Sequence, residues 1–208
     1  MSFTILVLTG GEPVPASLRS QLPRPDLVIA ADSGYQLASL LGLRVDLVIG
    51  DFDSIDPRTD LSGTEVERHP ADKDHSDLEL AFGAAAARNA TDLVVVGGGG
   101  GRLDHLLANA AVIAGYDRGS ITWFTGAEIA YVVNRPRVIR GSAGDLVTLL
   151  ALGGDADGVT ALGLRYPLED ETLPFGSARG LSNVMSAPEA EISVRSGTLI
   201  AIHTPMDS

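Results

Sequence analysis

Apolar residues in this chain fall into short unbroken runs, each stopped by glycine or an acid. Phe3 to Thr9 predicts a strand ending at Gly10-Gly11, and Leu27 to Ala31 a second ending at Asp32-Ser33-Gly34. Val45, Leu47, Val48 and Ile49 predict a third, stopped by Gly50-Asp51-Phe52-Asp53-Ser54. Runs without polar alternation suit strands covered on both faces, as in a parallel sheet. Tyr35 to Leu41 predicts a short helix between two of them, with Gly42 as its stop. Pro57 to Gly63 reads as a polar loop and Val66 to His69 as a short strand. Ser76-Asp77-Leu78-Glu79 then has capping-box spacing and opens a helix whose inward face is Leu78, Phe82, Ala85 and Ala86. Leu93 to Val96 is a further buried strand, and Gly97 to Gly101 lead into a helix with Leu103, Leu106, Leu107, Ala110, Ala111 and Ala114 at helical spacing. A last strand of this kind covers Ile121 to Thr125.

Beyond Glu128 the rhythm changes to short strand-like runs at Ala130–Val133, Val138–Arg140, Leu146–Leu150, Val159–Leu162, Glu191–Val194 and Leu199–His203, with glycine and proline turns between them. The expectation is an α/β N-terminal domain with a mainly parallel sheet over residues 1–127, then an all-β C-terminal sandwich over 128–208. Leu164 to Leu168 and Phe175 to Asn183 read as hairpin connections whose polar and aromatic groups could line a small-molecule pocket.

Composition narrows the chemistry. The chain has 208 residues, 45% of them hydrophobic, enough for a sizeable core. No apolar run reaches the length of a membrane span or of a signal-peptide core, and there is no cysteine, so a soluble cytoplasmic protein is expected. A net charge of -12 with no basic stripe argues against a nucleic-acid partner. A protein this acidic needs a cation to hold a polyanion, and Asp51 and Asp53, two residues apart beyond a strand, suit Mg²⁺. All but one of the basic residues are arginine; Lys73, the single lysine, stands between Asp72 and Asp74. A compact ammonium differs from a planar guanidinium in what it can hold. The Gly97–Gly101 turn ahead of a helix can bring backbone N–H groups to phosphate, with Arg102 facing it and Asp104 orienting it, a metal or a ribose hydroxyl. Each of these features also has an ordinary explanation as turn or capping chemistry.

Taken together, Ala31-Asp32-Ser33-Gly34, Asp46 to Ile55, Lys73-Asp74-His75-Ser76-Asp77-Leu78-Glu79, Gly100-Gly101-Arg102-Leu103-Asp104-His105 and Ser182-Asn183 resemble the thiamine pyrophosphokinase family in order and over most of the chain. The resemblance implies a homodimer with sites at the subunit interface. It implies transfer of the terminal pyrophosphoryl unit of ATP to the hydroxyl of thiamine. Asp51, Asp53 and Asp77 would hold Mg²⁺, and Lys73, Arg102, Asp104 and His105, with Asp32, Asp74 and Gly101 nearby, would serve the nucleotide. Ser182 and Asn183 would meet the thiamine pyrimidine. Asp74 and Asp104 are both candidates to assist deprotonation. This chain departs from the family at Ser33, Gln36 and Ser76, and has Val184-Met185 where many members carry an aromatic residue after the asparagine. Other readings are a pterin pyrophosphokinase, a phosphohydrolase with Asp51 as nucleophile, or a silent nucleotide or thiamine diphosphate sensor.

Overall fold

The computed structural model describes residues 2–53, 55–56 and 58–206; Ser54 of the acidic turn and Pro57 of the expected loop lie outside them. The chain divides into two compact units, Met1–Val112 with Arg118–Gly126, and Ile113–Asp117 with Ala127–Ser208.

The first unit is built on six parallel strands, β1 (Thr4–Thr9), β2 (Leu27–Ala31), β3 (Leu47–Gly50), β4 (Glu65–Arg68), β5 (Asp92–Gly97) and β6 (Ser120–Phe124), in the order β4-β3-β2-β1-β5-β6. β1, β2, β3 and β5 are apolar and almost wholly buried, as their unbroken sequences require. β4 is largely exposed, in keeping with its place at the edge and its charged sequence. The helices are α1 (Tyr35–Leu41), closed by Gly42 in the left-handed conformation, α2 (Asp77–Ala87) and α3 (Leu103–Ala114). The capping box is present: the Glu79 N–H donates to Ser76 Oγ at 3.3 Å and the Ser76 N–H donates to Glu79 Oε2 at 2.8 Å. It fixes the start of α2, which packs on β1, β2 and β3 through Leu78, Ala81, Phe82 and Ala85.

The expectation for α3 fails in part. Leu103 and Leu107 are 68% and 60% exposed, and Ile113 is the buried residue of that helix. Helical spacing shows that an apolar face exists, not that something in the same chain covers it.

The second unit is antiparallel, with β7 (Ile129–Val133), β8 (Arg137–Arg140), β9 (Leu146–Leu162), β10 (Leu168–Leu173), β11 (Asn183–Val184), β12 (Glu189–Ser193) and β13 (Ser196–Thr204). β9 is one 17-residue strand where the sequence suggested two runs. Its first half lies between β13 and β11, and its second half between β10 and β12. One long strand thus serves both layers of the sandwich. Val133, Ile139, Val147, Leu149, Val159, Leu199 and their neighbours fill the space between the layers.

Candidate active site

In the first unit the chain runs outward from β1 through β2 and β3 to β4, then crosses back to place β5 on the other side of β1. The strand order therefore reverses between β1 and β5, and a crevice opens there beyond the carboxyl ends of the strands. The structure has a cleft of about 640 Å³ at this position. The turns after β1, β2, β3 and β5 and the first turns of α2 and α3 line it. Seven of the residues singled out from sequence are in its wall: Asp32, Asp51, Lys73, Asp77, Gly101, Arg102 and His105.

Asp32, Asp51 and Asp53 each offer a carboxylate oxygen, and these oxygens lie within 4.8 Å of one another. Three like charges so close repel unless a cation joins them. Asp32 adds a second sign: its Oδ1 is buried with no hydrogen-bond partner among the described residues. An all-oxygen, all-acidic set of this kind suits Mg²⁺, which takes few protein carboxylates and keeps positions for water and phosphate.

The backbone is bent to bring these acids together. Asp32 and Phe52 both take left-handed conformations, at φ 43° and 69°. For Phe52 this costs on the order of 1–3 kcal/mol. The Arg68 guanidinium at the end of β4 lies 4.1 Å from the centre of the Phe52 ring, a cation–π contact that offsets part of that cost. Between the two acidic turns, Gly50 has φ 148°, and a Cβ there would meet Asp32 Cβ at 3.0 Å and Asp77 Oδ1 at 3.2 Å. Glycine here leaves room for both Asp32 and Asp77 beside the end of β3.

Asp77 was expected as the third metal ligand, whereas the close group contains Asp32 instead. Asp77 Oδ1 is 2.9 Å from Lys73 Nζ, and with the lysine side chain only 13% exposed the pair is well shielded. The lone lysine is thus held in the cleft wall by the first residue of α2. Asp72 and Asp74, its neighbours in sequence, are exposed, as is Asp104.

The glycine turn after β5 is anchored on two sides. The Trp123 indole donates to the Gly97 carbonyl at 2.7 Å, and the Asn109 side chain of α3 donates to the Gly98 carbonyl at 3.1 Å. Beyond it, Arg102 Nε donates to Asp104 Oδ1 at 3.1 Å. This hydrogen bond from the guanidinium holds the Asp104 carboxyl below the usual carboxylate range and raises Arg102. Sequence reasoning missed Glu12, whose carboxylate accepts from the Gly101 N–H at 3.1 Å. An acid directly after Gly10-Gly11 was the available signal.

Ser182 and Asn183 belong to the second unit. Asn183 is buried; its amide donates to the Tyr166 carbonyl at 2.6 Å and its Oδ1 accepts from the N–H groups of Tyr166 and Val184. Its side chain thereby pins the Leu164–Pro167 segment. Ser182 is exposed, at φ 55°, with its N–H donating to Thr148 Oγ1 at 3.0 Å.

A parallel sheet with a switch-point cleft, grouped carboxylates, a buried-side lysine and a glycine turn together define a phosphate-handling α/β domain, here followed by an antiparallel β domain. Residues 18–124 match the catalytic domain of thiamin pyrophosphokinase and residues 135–199 its vitamin B1 binding domain. The chain belongs to the thiamin pyrophosphokinase family. Thiamine pyrophosphokinase of Bacillus subtilis is 24% identical, with 97% of this chain and 98% of that protein aligned. Thiamine pyrophosphokinase 3 of rice is 24% identical over 73% of this chain and 62% of its own length. Among solved structures, the Bacillus subtilis enzyme superposes with a TM-score of 0.84 at 23% identity, covering 98% of this chain and all of that one. Thiamin pyrophosphokinase of Geobacillus thermodenitrificans gives 0.82 at 24% identity, with 99% of both chains covered. The two-part fold is therefore shared. Among the described residues no helix is long and apolar enough to cross a membrane.

Proposed function

We propose that this protein transfers the terminal pyrophosphoryl group of ATP to the hydroxyl of thiamine, giving thiamine diphosphate and AMP. The observation that carries this reading is the placing of Asp32, Asp51 and Lys73 in the wall of the switch-point cleft, with Asp53 grouped against the first two, in a chain whose two halves match the family's catalytic and vitamin-binding domains. In the reaction the thiamine oxygen bonds to the β-phosphorus, the bond from that phosphorus to the α–β bridging oxygen breaks, and AMP leaves with the bridging oxygen. Such transfers depend chiefly on positioning and charge neutralisation.

Each residue has a task in that scheme. Asp32, Asp51 and Asp53 would hold Mg²⁺, which when bound supplies positive charge to the phosphate oxygens. Asp77 steadies Lys73, whose ammonium donates to the transferred group. Arg102 meets the nucleotide phosphates, with Asp104 orienting its guanidinium. Asp104 and Asp74 are both exposed acids and both stand as candidates to assist loss of the thiamine proton. His105 closes the nucleotide side. In the second unit, Asn183 stiffens the loop and Ser182 presents a hydroxyl to the vitamin. A second copy of the chain covers Leu103 and Leu107, the exposed apolar pair one turn apart on α3, and the protein works as a cytoplasmic homodimer.

The test is to incubate the protein with Mg-ATP and either thiamine or a hydroxymethylpterin and to separate AMP from ADP and phosphate. AMP formed with thiamine alone is expected. AMP with the pterin alone, or phosphate without acceptor, would replace this reading by a pterin pyrophosphokinase or a hydrolase. Light scattering showing an active monomer would refute the dimer.

A further inference from the structure

Glu12 touches the glycine turn twice. Its N–H donates to the Gly99 carbonyl at 3.0 Å, and its Oε1 accepts from the Gly101 N–H at 3.1 Å. Its side chain lies so close over Gly100, at φ 65°, that a Cβ there would sit 2.3 Å from the Glu12 carboxyl carbon. The carboxylate thus lies directly against the turn. Gly101 lines the cleft, and its N–H is one of the donors a phosphate oxygen would use.

Glu12 differs from the other acids that face donors here. Lys73 and Arg102, paired with Asp77 and Asp104, each carry several N–H groups and can serve an acid and a phosphate together. A backbone N–H is a single donor. A carboxylate on it and a phosphate oxygen on it are close to mutually exclusive, and the two anions repel.

We propose that Glu12 sets anion selectivity in the cleft by competing for the Gly101 N–H. A phosphate monoester has few other anchors and loses most from the competition. A polyphosphate that also reaches Asp32, Asp51 and Asp53 through its own divalent cation can displace the carboxylate. Glu12 thereby weights the site toward the metal-chelated substrate and against AMP. This rests on the pyrophosphokinase reading.

The experiment is calorimetric titration of wild-type protein, Glu12→Gln and Glu12→Ala with AMP and with magnesium tripolyphosphate, after circular dichroism has confirmed the fold of each variant. AMP affinity should rise roughly three- to tenfold in Glu12→Ala and less in Glu12→Gln, whose amide oxygen can still accept from the Gly101 N–H, with a smaller gain for tripolyphosphate, so that discrimination narrows. In ¹H–¹⁵N spectra the Gly101 amide should shift in both variants. AMP affinity unchanged or lowered in Glu12→Ala, with wild-type tripolyphosphate binding intact, overturns the inference alone. Failure of wild-type protein to bind tripolyphosphate overturns the pyrophosphokinase reading and this inference with it.

Discussion

The two units treat a half-hidden or buried aspartate in opposite ways. Asp32 in the first unit keeps a buried oxygen without a hydrogen-bond partner among the described residues and shares its space with two more acids. Asp145 in the second is 4% exposed, yet its Oδ1 accepts from the Met206 N–H at 3.0 Å, and its Oδ2 accepts from the Ser142 N–H at 2.8 Å and faces His203 Nε2 at 2.8 Å. Burial alone disfavours the charged Asp145, but the two N–H groups and the imidazole outweigh it and hold the carboxyl below its usual range. Within the described residues, one aspartate is left unpaired among acids; the other is a structural tie complete within the fold. Stability and function are thus separated along the chain.

The contrast is open to test, most severely at Asp51. Asp51→Asn should lower turnover about 10²–10³-fold, read as AMP release, with an unchanged circular dichroism spectrum; near-normal turnover would remove the acidic group from the chemistry. Asp145→Ala strands three partners and should cost about 2–4 kcal/mol in urea unfolding while leaving Mn²⁺ affinity of the first unit unchanged. The same tie predicts acid lability. The native Asp145 pKa lies below the unfolded value of about 3.9, so its stabilisation is complete above that pH and is lost as pH falls through the lower native value. Asp145→Asn should flatten that part of the stability profile, and an unaltered profile would show that other carboxylates govern it.

Asp32→Asn should act in the reverse sense. Asparagine tolerates the left-handed backbone and removes one of three repelling charges, so the melting temperature should rise by roughly 2–4 °C while Mn²⁺ affinity falls at least about tenfold. A lower melting temperature would mean that Asp32 is structural after all. The smallest effect is expected at Arg68→Ala, which frees the Phe52 ring and should cost about 0.5–1 kcal/mol. No change in the urea midpoint would leave the strained turn supported by other contacts.

What the sequence made readable follows the range over which each force acts. Strands whose residues are apolar throughout, such as Ile5 to Leu8 and Leu47 to Ile49, were visible because burial on both faces needs no partner to be named. The start of α2 was visible because its cap is completed within four residues. β10 was not, because LEDETL buries only its two leucines and carries four polar residues between them. β9 was read as two pieces because Gly153, Gly154 and Gly158 look like stops, whereas at positive φ they bend a continuous strand. Asp145 and His203 lie 58 positions apart, and nothing local marks either as the other's partner. In the cleft, the acids and Lys73 stood out individually. Their grouping did not: the closeness of Asp32 to Asp51 and Asp53 goes with left-handed backbone at Asp32 and Phe52, which the sequence does not announce.

β9 has a consequence for how the second unit comes into being. Its neighbours β10, β11, β12 and β13 all follow it in the chain, and the longest of these pairings is with β13, which also pairs with β7. During synthesis one layer can close before the other: β8, β10, β12 and the second half of β9 are all present once Ser193 has emerged, ahead of β13. β7 and the first half of β9 wait for their shared partner until Ser196–Thr204 have emerged, so this second layer should assemble last, and that interval is when a nascent chain has most need of a chaperone.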